Sequence, residues 1–247
     1  MATNVMRYLV DGRPRWGVRH GDLAEDLDLD AASTATLAEH ADDVRDGGHR
    51  TGIERRVDSV ELLTPVTRDR QFLCQAVNYR SHLRETGGDP AGSPFNVFFT
   101  KAPSSLAPAD TDIVCPTETE YLDHEVEIGL VLRRRVDGPR TIGDGDLADH
   151  VVGLVAVDDV SARDLQLAEG QFYAAKSFRT FGPVGPHITL VDADELARFD
   201  ELRLRLWVDG DLRQDAHATD MVHRPAPSLQ RLSAIQDWEP GDLVATG

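Results

Sequence analysis

Apolar and polar residues in this chain recur mostly at every second position, the period of a half-buried strand, and only briefly at the period of a helix. The clearest run is His124-Glu125-Val126-Glu127 followed by Ile128-Gly129-Leu130-Val131-Leu132, which predicts a strand that begins in alternation and ends apolar on both faces. Further strands are predicted at 7–10, 16–18, 60–63, 71–77, 95–100, 151–157, 188–191, 202–208, 212–214 and 243–245. Of these, 202–208 and 212–214 form a hairpin around Asp209-Gly210-Asp211. Helical potential is confined to the alanine-rich sequence before Asp46-Gly47-Gly48 and to 79–85, 144–150, 161–166 and 228–235.

In the central strand, residues two apart share a face, so Glu125 and Glu127 project side by side about 7 Å apart along the strand. Burying two carboxylates on an apolar strand is unfavourable unless a cation or donors offset their repulsion, and a divalent metal does so most simply. The apolar strand 151–157 delivers Asp158-Asp159 at its C-terminal end, where scaffolds present reactive groups. A carboxylate from that loop can complete an oxygen-donor set of the kind Mg²⁺ prefers. Asp159 reads equally as an N-cap for a helix at 161–166. His82 and Glu85, at i and i+3 if 79–85 is helical, suit a water-activating pair, or an exposed pair on a helix surface. Lys176, lodged in Tyr173-Ala174-Ala175-Lys176-Ser177-Phe178, suggests a paired charge or an oxyanion partner, with a surface lysine as the alternative. The Gly- and Pro-rich stretch at 86–94 suits a mobile lid.

Composition changes near Gln71, dividing the chain into a small acidic N-terminal domain, 1–69, and a larger one, 70–247. Lys and Arg number 26 against 43 Asp and Glu, a net charge of −17, which repels nucleic acid and anionic membrane. An anionic substrate therefore needs individual Arg or Lys side chains at its site. No apolar run approaches a membrane span and the N-terminus lacks the order of a signal peptide, so a cytoplasmic location is expected. The sequence has no repeat, Walker loop, GxGxxG or GxSxG, which removes support for nucleotide cofactors and serine-hydrolase chemistry. Cys74 and Cys115 are expected to be buried, reduced thiols. His20, His40 and His49 lack ligand spacing and are expected on the solvated surface.

Several of these segments share one order and spacing: Asn78-Tyr79, His82 and Glu85; His124-Glu125-Val126-Glu127; the run from Asp159 to Gln166; Ala175-Lys176-Ser177-Phe178; Gly182-Pro183-Val184-Gly185-Pro186; and the run from Pro240 to Gly247. Over roughly 70–247 the sequence resembles the fumarylacetoacetate hydrolase family. The resemblance implies an α+β fold with β-rich, layered mixed sheets, and usually a homodimer. It implies Mg²⁺, Mn²⁺ or Ca²⁺ held by Glu125, Glu127 and Asp159, with Lys176 as the catalytic lysine and His82 with Glu85 as the pair that activates water. Arg163, Gln166, Tyr79 and Thr246 fall at substrate-binding positions, and the substrates are small 2-oxo acids and β-diketones. The expected reaction is hydrolysis of a carbon–carbon bond in an acylpyruvate-like substrate. The alternatives are a decarboxylase or isomerase of an oxaloacetate-like acid, recruitment to a biosynthetic step such as cyclisation, or a catalytically silent relative. Members commonly continue past Thr-Gly into further strands, so the closure of the last sheet and a substrate-binding threonine are expected to be incomplete here. Asp158 replaces a residue more often uncharged and is expected to tune or support a neighbour.

Overall fold

The computed structural model describes residues 2–85, 87 and 96–247, the side chain of Glu85 excepted. The first 69 residues supply β1 (Thr3–Val10), β2 (Arg13–His20), β3 (Leu23–Leu27), helices α1 (Thr34–Glu39) and α2 (Ala41–Arg45), β4 (Arg50–Arg56) and β5 (Glu61–Leu63). Asp11 and Gly12 turn β1 into β2, both at positive φ, 49° and 70°, as a two-residue hairpin loop requires. Strands β3 and β4 were not predicted. Most of β4 is exposed and polar, a charged edge strand whose sequence carries no apolar alternation.

The rest of the chain begins with β6 (Phe72–Ala76), α3 (Arg80–Glu85), β7 (Val97–Lys101), β8 (Leu106–Pro108), β9 (Leu122–Asp123) and β10 (Val126–Leu132). It continues with α4 (Leu147–His150), β11 (Val151–Asp158), β12 (Ser161–Ala162), α5 (Arg163–Glu169), α6 (Tyr173–Lys176), β13 (Gly182–Val184), β14 (His187–Leu190) and α7 (Ala193–Ala197). The hairpin β15 (Arg203–Val208) and β16 (Asp211–His217), α8 (Pro225–Ser233) and β17 (Leu243–Ala245) follow.

One sheet of thirteen strands runs β4-β3-β2-β1-β14-β11-β10-β17-β6-β7, with β5 on β1, β13 on β11 and β8 on β13. Pairing is antiparallel except at β17–β6 and β13–β8. The architecture is the β-rich, mixed α+β fold expected from the sequence. Strand β1 pairs with β14 in the register Val5↔Ile188, so the sheet passes without a break from the N-terminal strands into the rest of the chain.

Strand β10 lies between β11 and β17 and separates two cores. Ile128, Leu130 and Leu132 face Val244, Trp238 and the apolar side of α8, Leu229 and Leu232. Val131 faces the other way, toward Phe72, Val155, Val157 and Leu243. Glu127 is in phase with Val131, so the carboxylate enters at the end of that second core. Gly129 stands between them because a Cβ there would lie 2.8 Å from side-chain carbons of Leu243, Val155 and Val157.

Candidate metal centre

Three carboxylates meet where β10 begins and β11 ends. The Asp159 N–H donates to the Glu125 carbonyl at 2.8 Å, which holds the entry to β10 against the exit from β11. Asp158 adds a second tie, its Oδ1 accepting from the Glu125 N–H at 2.9 Å. With the backbone fixed in this way, donor oxygens of Glu125, Glu127 and Asp159 all lie within 4.8 Å of one another. Glu127 and Asp159 are buried, 2% and 0% exposed, and Glu125 is half-buried.

Positive charge is shared unevenly among the three carboxylates. Lys176 Nζ bridges Glu125 Oε2 at 2.5 Å and Asp159 Oδ2 at 2.7 Å. Lys101, fully buried, donates to Asp159 Oδ1 and to the Phe181 carbonyl at 2.7 Å. Burial works against the Asp159 carboxylate, but these two lysines outweigh it and hold its pKa below the ordinary value. Burial likewise opposes the Lys176 ammonium, and Asp159 with Glu125 overcomes it and raises its pKa. Glu127 gains no such partner. Its Oε2 accepts from the Gly247 N–H at 2.8 Å, while burial and the charges of Asp159 and Glu125 push its pKa well above the carboxylate range. An all-oxygen donor set, largely desolvated and with Glu127 left outside the ion pairs, fits a hard divalent cation.

Two adjacent hollows, sharing His82 and Gly247 in their walls, open onto Glu125 and Glu127. The smaller, about 40 Å³, is lined by Glu125, Glu127, Arg163, Gln166, Phe172 and Lys176. The larger, about 140 Å³, lies between α3 and the β15–β16 hairpin, with Tyr79, Arg213 and Gln214 in its wall. His82 borders both. Arg163 extends from the start of α5 to Asp123 at 2.7 Å, Glu125 at 2.5 Å and Gln166 Oε1 at 2.8 Å. The hairpin is docked by Gln214 Oε1, which accepts from the Val126 N–H at 2.8 Å.

A sequence profile described as "Fumarylacetoacetate (FAA) hydrolase C-terminal" matches residues 71–247. The chain belongs to the fumarylacetoacetate hydrolase family. It is 35% identical over 185 residues to an uncharacterized protein of Pyrococcus abyssi, covering 73% of this chain and 78% of the relative. It is 34% identical over 194 residues to the oxaloacetate tautomerase YisK of Bacillus subtilis, covering 77% of this chain and 62% of that enzyme. Among solved structures, a maleylpyruvate hydrolase from a Sphingobium species, in complex with manganese(II) ion and pyruvate, aligns with a TM-score of 0.78 at 26% identity. That alignment covers 99% of this chain and 88% of the hydrolase.

The fumarylacetoacetate hydrolase fold thus sets Glu125, Glu127, Lys176, Arg163, Gln166, Tyr79 and His82 along these two hollows, with Asp159 buried behind Glu125 and Glu127. Thr246 lies on the strand side of this group, just before Gly247. It is buried, and its hydroxyl and N–H both donate to the Ile128 carbonyl, at 2.9 and 3.1 Å, sealing β17 to β10. The Glu85 backbone is in α3 as expected, but its side chain lies outside the described residues, as does the expected lid at 86–94 apart from Gly87. Asp159 caps no helix, because Ser161 and Ala162 form β12 and α5 starts only at Arg163. Lys101 was missed as a site residue, since the strand expected at 95–100 stops short of it and in sequence it reads as the start of a loop, whereas it ends β7. Cys74 is buried as expected, but Cys115 is exposed: it lies in irregular chain ahead of Pro116, not in a strand. His40 and His49, expected as solvated surface residues without ligand spacing, are half-buried and have rings 4.9 Å apart.

Proposed function

We propose that the protein is a divalent-metal-dependent hydrolase that cleaves a carbon–carbon bond in acylpyruvate-like 2-oxo acids. The observation that carries this reading is the convergence of Glu125, Glu127 and Asp159, with Lys176 bridging two of them and Glu127 buried without an ion pair. Held by Glu125, Glu127 and Asp159, Mg²⁺ or Mn²⁺ would supply Lewis-acid polarisation of a 2-oxo acid. Lys176, kept protonated by Asp159 and Glu125, donates to the oxyanion that develops on the attacked carbonyl. Arg163 and Gln166 receive the substrate carboxylate, a charge-assisted contact that a surface of net charge −17 otherwise disfavours. His82, with Glu85 as the partner that the sequence resemblance implies, takes the proton of the attacking water and returns it to the departing fragment. The chamber walled by Tyr79 and Arg213 takes the acyl portion, and its volume of about 140 Å³ suits a small acid. The maleylpyruvate hydrolase that holds manganese and pyruvate supports this assignment.

The similarity to YisK favours a second reading, tautomerisation of oxaloacetate at the same centre. That reaction needs proton transfer at carbon and oxygen but no activated water. Steady-state assays with Mn²⁺ on acylpyruvates and on enol-oxaloacetate separate the two. Hydrolysis that is lost in both Glu125→Ala and His82→Ala supports the first reading. Turnover of enol-oxaloacetate alone, surviving His82→Ala, overturns it in favour of the second, and full activity of Glu125→Ala overturns both. We read the working form as a cytoplasmic homodimer, with Tyr121, Leu167 and Tyr173 among the exposed apolar side chains around the site available to a partner.

A further inference from the structure

The corner between α1 and β4 carries a cluster that the proposed reaction does not use. His40 stands at the junction of α1 and α2, Asp43 follows three residues later on α2, and His49 leads into β4. Asp43 Oδ2 lies 4.0 Å from His40 Nδ1 and 3.9 Å from His49 Nε2, and donor atoms of all three side chains lie within 4.8 Å of one another. At these separations the three side chains lie close enough to share one ion without being hydrogen-bonded to one another. Ligands at about 2.0–2.2 Å from an ion sit about 3–3.5 Å apart, a closure that the torsions of half-exposed side chains supply.

The backbone under the cluster is fixed. Gly48 N–H donates to the Asp43 carbonyl at 2.7 Å, a closure that leaves no room for a Cβ, and His49 at φ 61° folds back over α2. Outside the cluster, Asp42 accepts from Arg133 at 2.8 and 2.9 Å, and Arg45 donates to Asp192 at 2.5 Å, which anchors both sides of α2 to the larger part of the chain.

We propose that His40, Asp43 and His49 form a second metal site, for a borderline first-row ion of the zinc class, separate from the all-oxygen centre. Two imidazoles and one carboxylate select such an ion over Mg²⁺ or Ca²⁺. The side chains are 41%, 74% and 27% exposed, so water completes the coordination and the ion enters from solvent. Bound there, it staples the helical junction to the start of β4.

The test compares full-length protein with the double variant His40→Ala/His49→Asn by Co²⁺ titration, following calorimetry and visible absorption. Asn is chosen at 49 because it tolerates positive φ. At free Co²⁺ of about 100 μM the wild type is expected to bind one equivalent more than the variant. Co²⁺ is also expected to raise the wild-type melting temperature by more, and Mg²⁺-supported activity to be equal in the two proteins. Equal Co²⁺ stoichiometry overturns the proposal, whatever the all-oxygen centre binds, because that centre is common to both proteins. Asp43→Asn, expected to weaken the same equivalent by at least about tenfold, gives the reading if the double variant does not fold.

Discussion

Glu127 sets the electrostatic character of the site. Between the ordinary carboxylate value of 4.5 and its own raised pKa, the folded chain keeps a proton that the unfolded chain has released. In metal-free protein stability therefore falls as pH rises through that window. Melting temperatures in chelator from about pH 5 to about pH 8 are expected to decline in the wild type and to level in Glu127→Gln; an unchanged slope would refute the assignment. Asp159 has the opposite sign: its pKa is depressed, so its contribution is present above the ordinary 3.8 and lost as pH falls through the lowered value. Lys101 is expected to matter mainly for folding, because Lys101→Met leaves Asp159 fully buried with one cation in place of two. Breaking a buried pair costs about 3–5 kcal/mol, measurable by urea denaturation. Glu125, Glu127 and Asp159 were legible in the sequence because they sit at strand ends in phase with apolar neighbours. Lys101 was not, since its partner Asp159 is 58 residues away and nothing local marks the pairing.

Strand β10 was readable nearly residue for residue because burial on both faces imposes one unbroken apolar run. The same logic located β17, whose three residues are all buried. Where burial does not act, the sequence is silent: β4 is mostly exposed, and β12 is two residues held by pairing to β9. The tight seat of β10 also makes a prediction. Gly129→Ala forces a methyl against three side chains at 2.8 Å, and overpacking of this kind costs about 1–3 kcal/mol. Because Glu127 is two residues away on the same face, Mn²⁺ affinity is expected to fall together with the urea midpoint. Normal metal binding in a destabilised Gly129→Ala would show that the strand shift does not reach the carboxylates.

For the molecule as a whole, the net charge of −17 opposes the approach of any anionic substrate, and salt screens that field over about 8 Å at physiological ionic strength. KM for a 2-oxo acid is accordingly expected to fall as ionic strength rises from low values to about 0.15 M, with kcat little changed. Initial rates across a salt series check this, and a rising KM would mean that Arg163 and Arg213 dominate the field at the entrance. The continuous sheet has its own consequence. Because β1 lies along β14, the first ten residues act as the hem of the reaction-bearing half, not as a detachable ornament. Trimming them bares a rim of unsatisfied peptide groups on β14, and such a rim recruits other chains. A shortened version is more apt to clump than to survive as a smaller working enzyme.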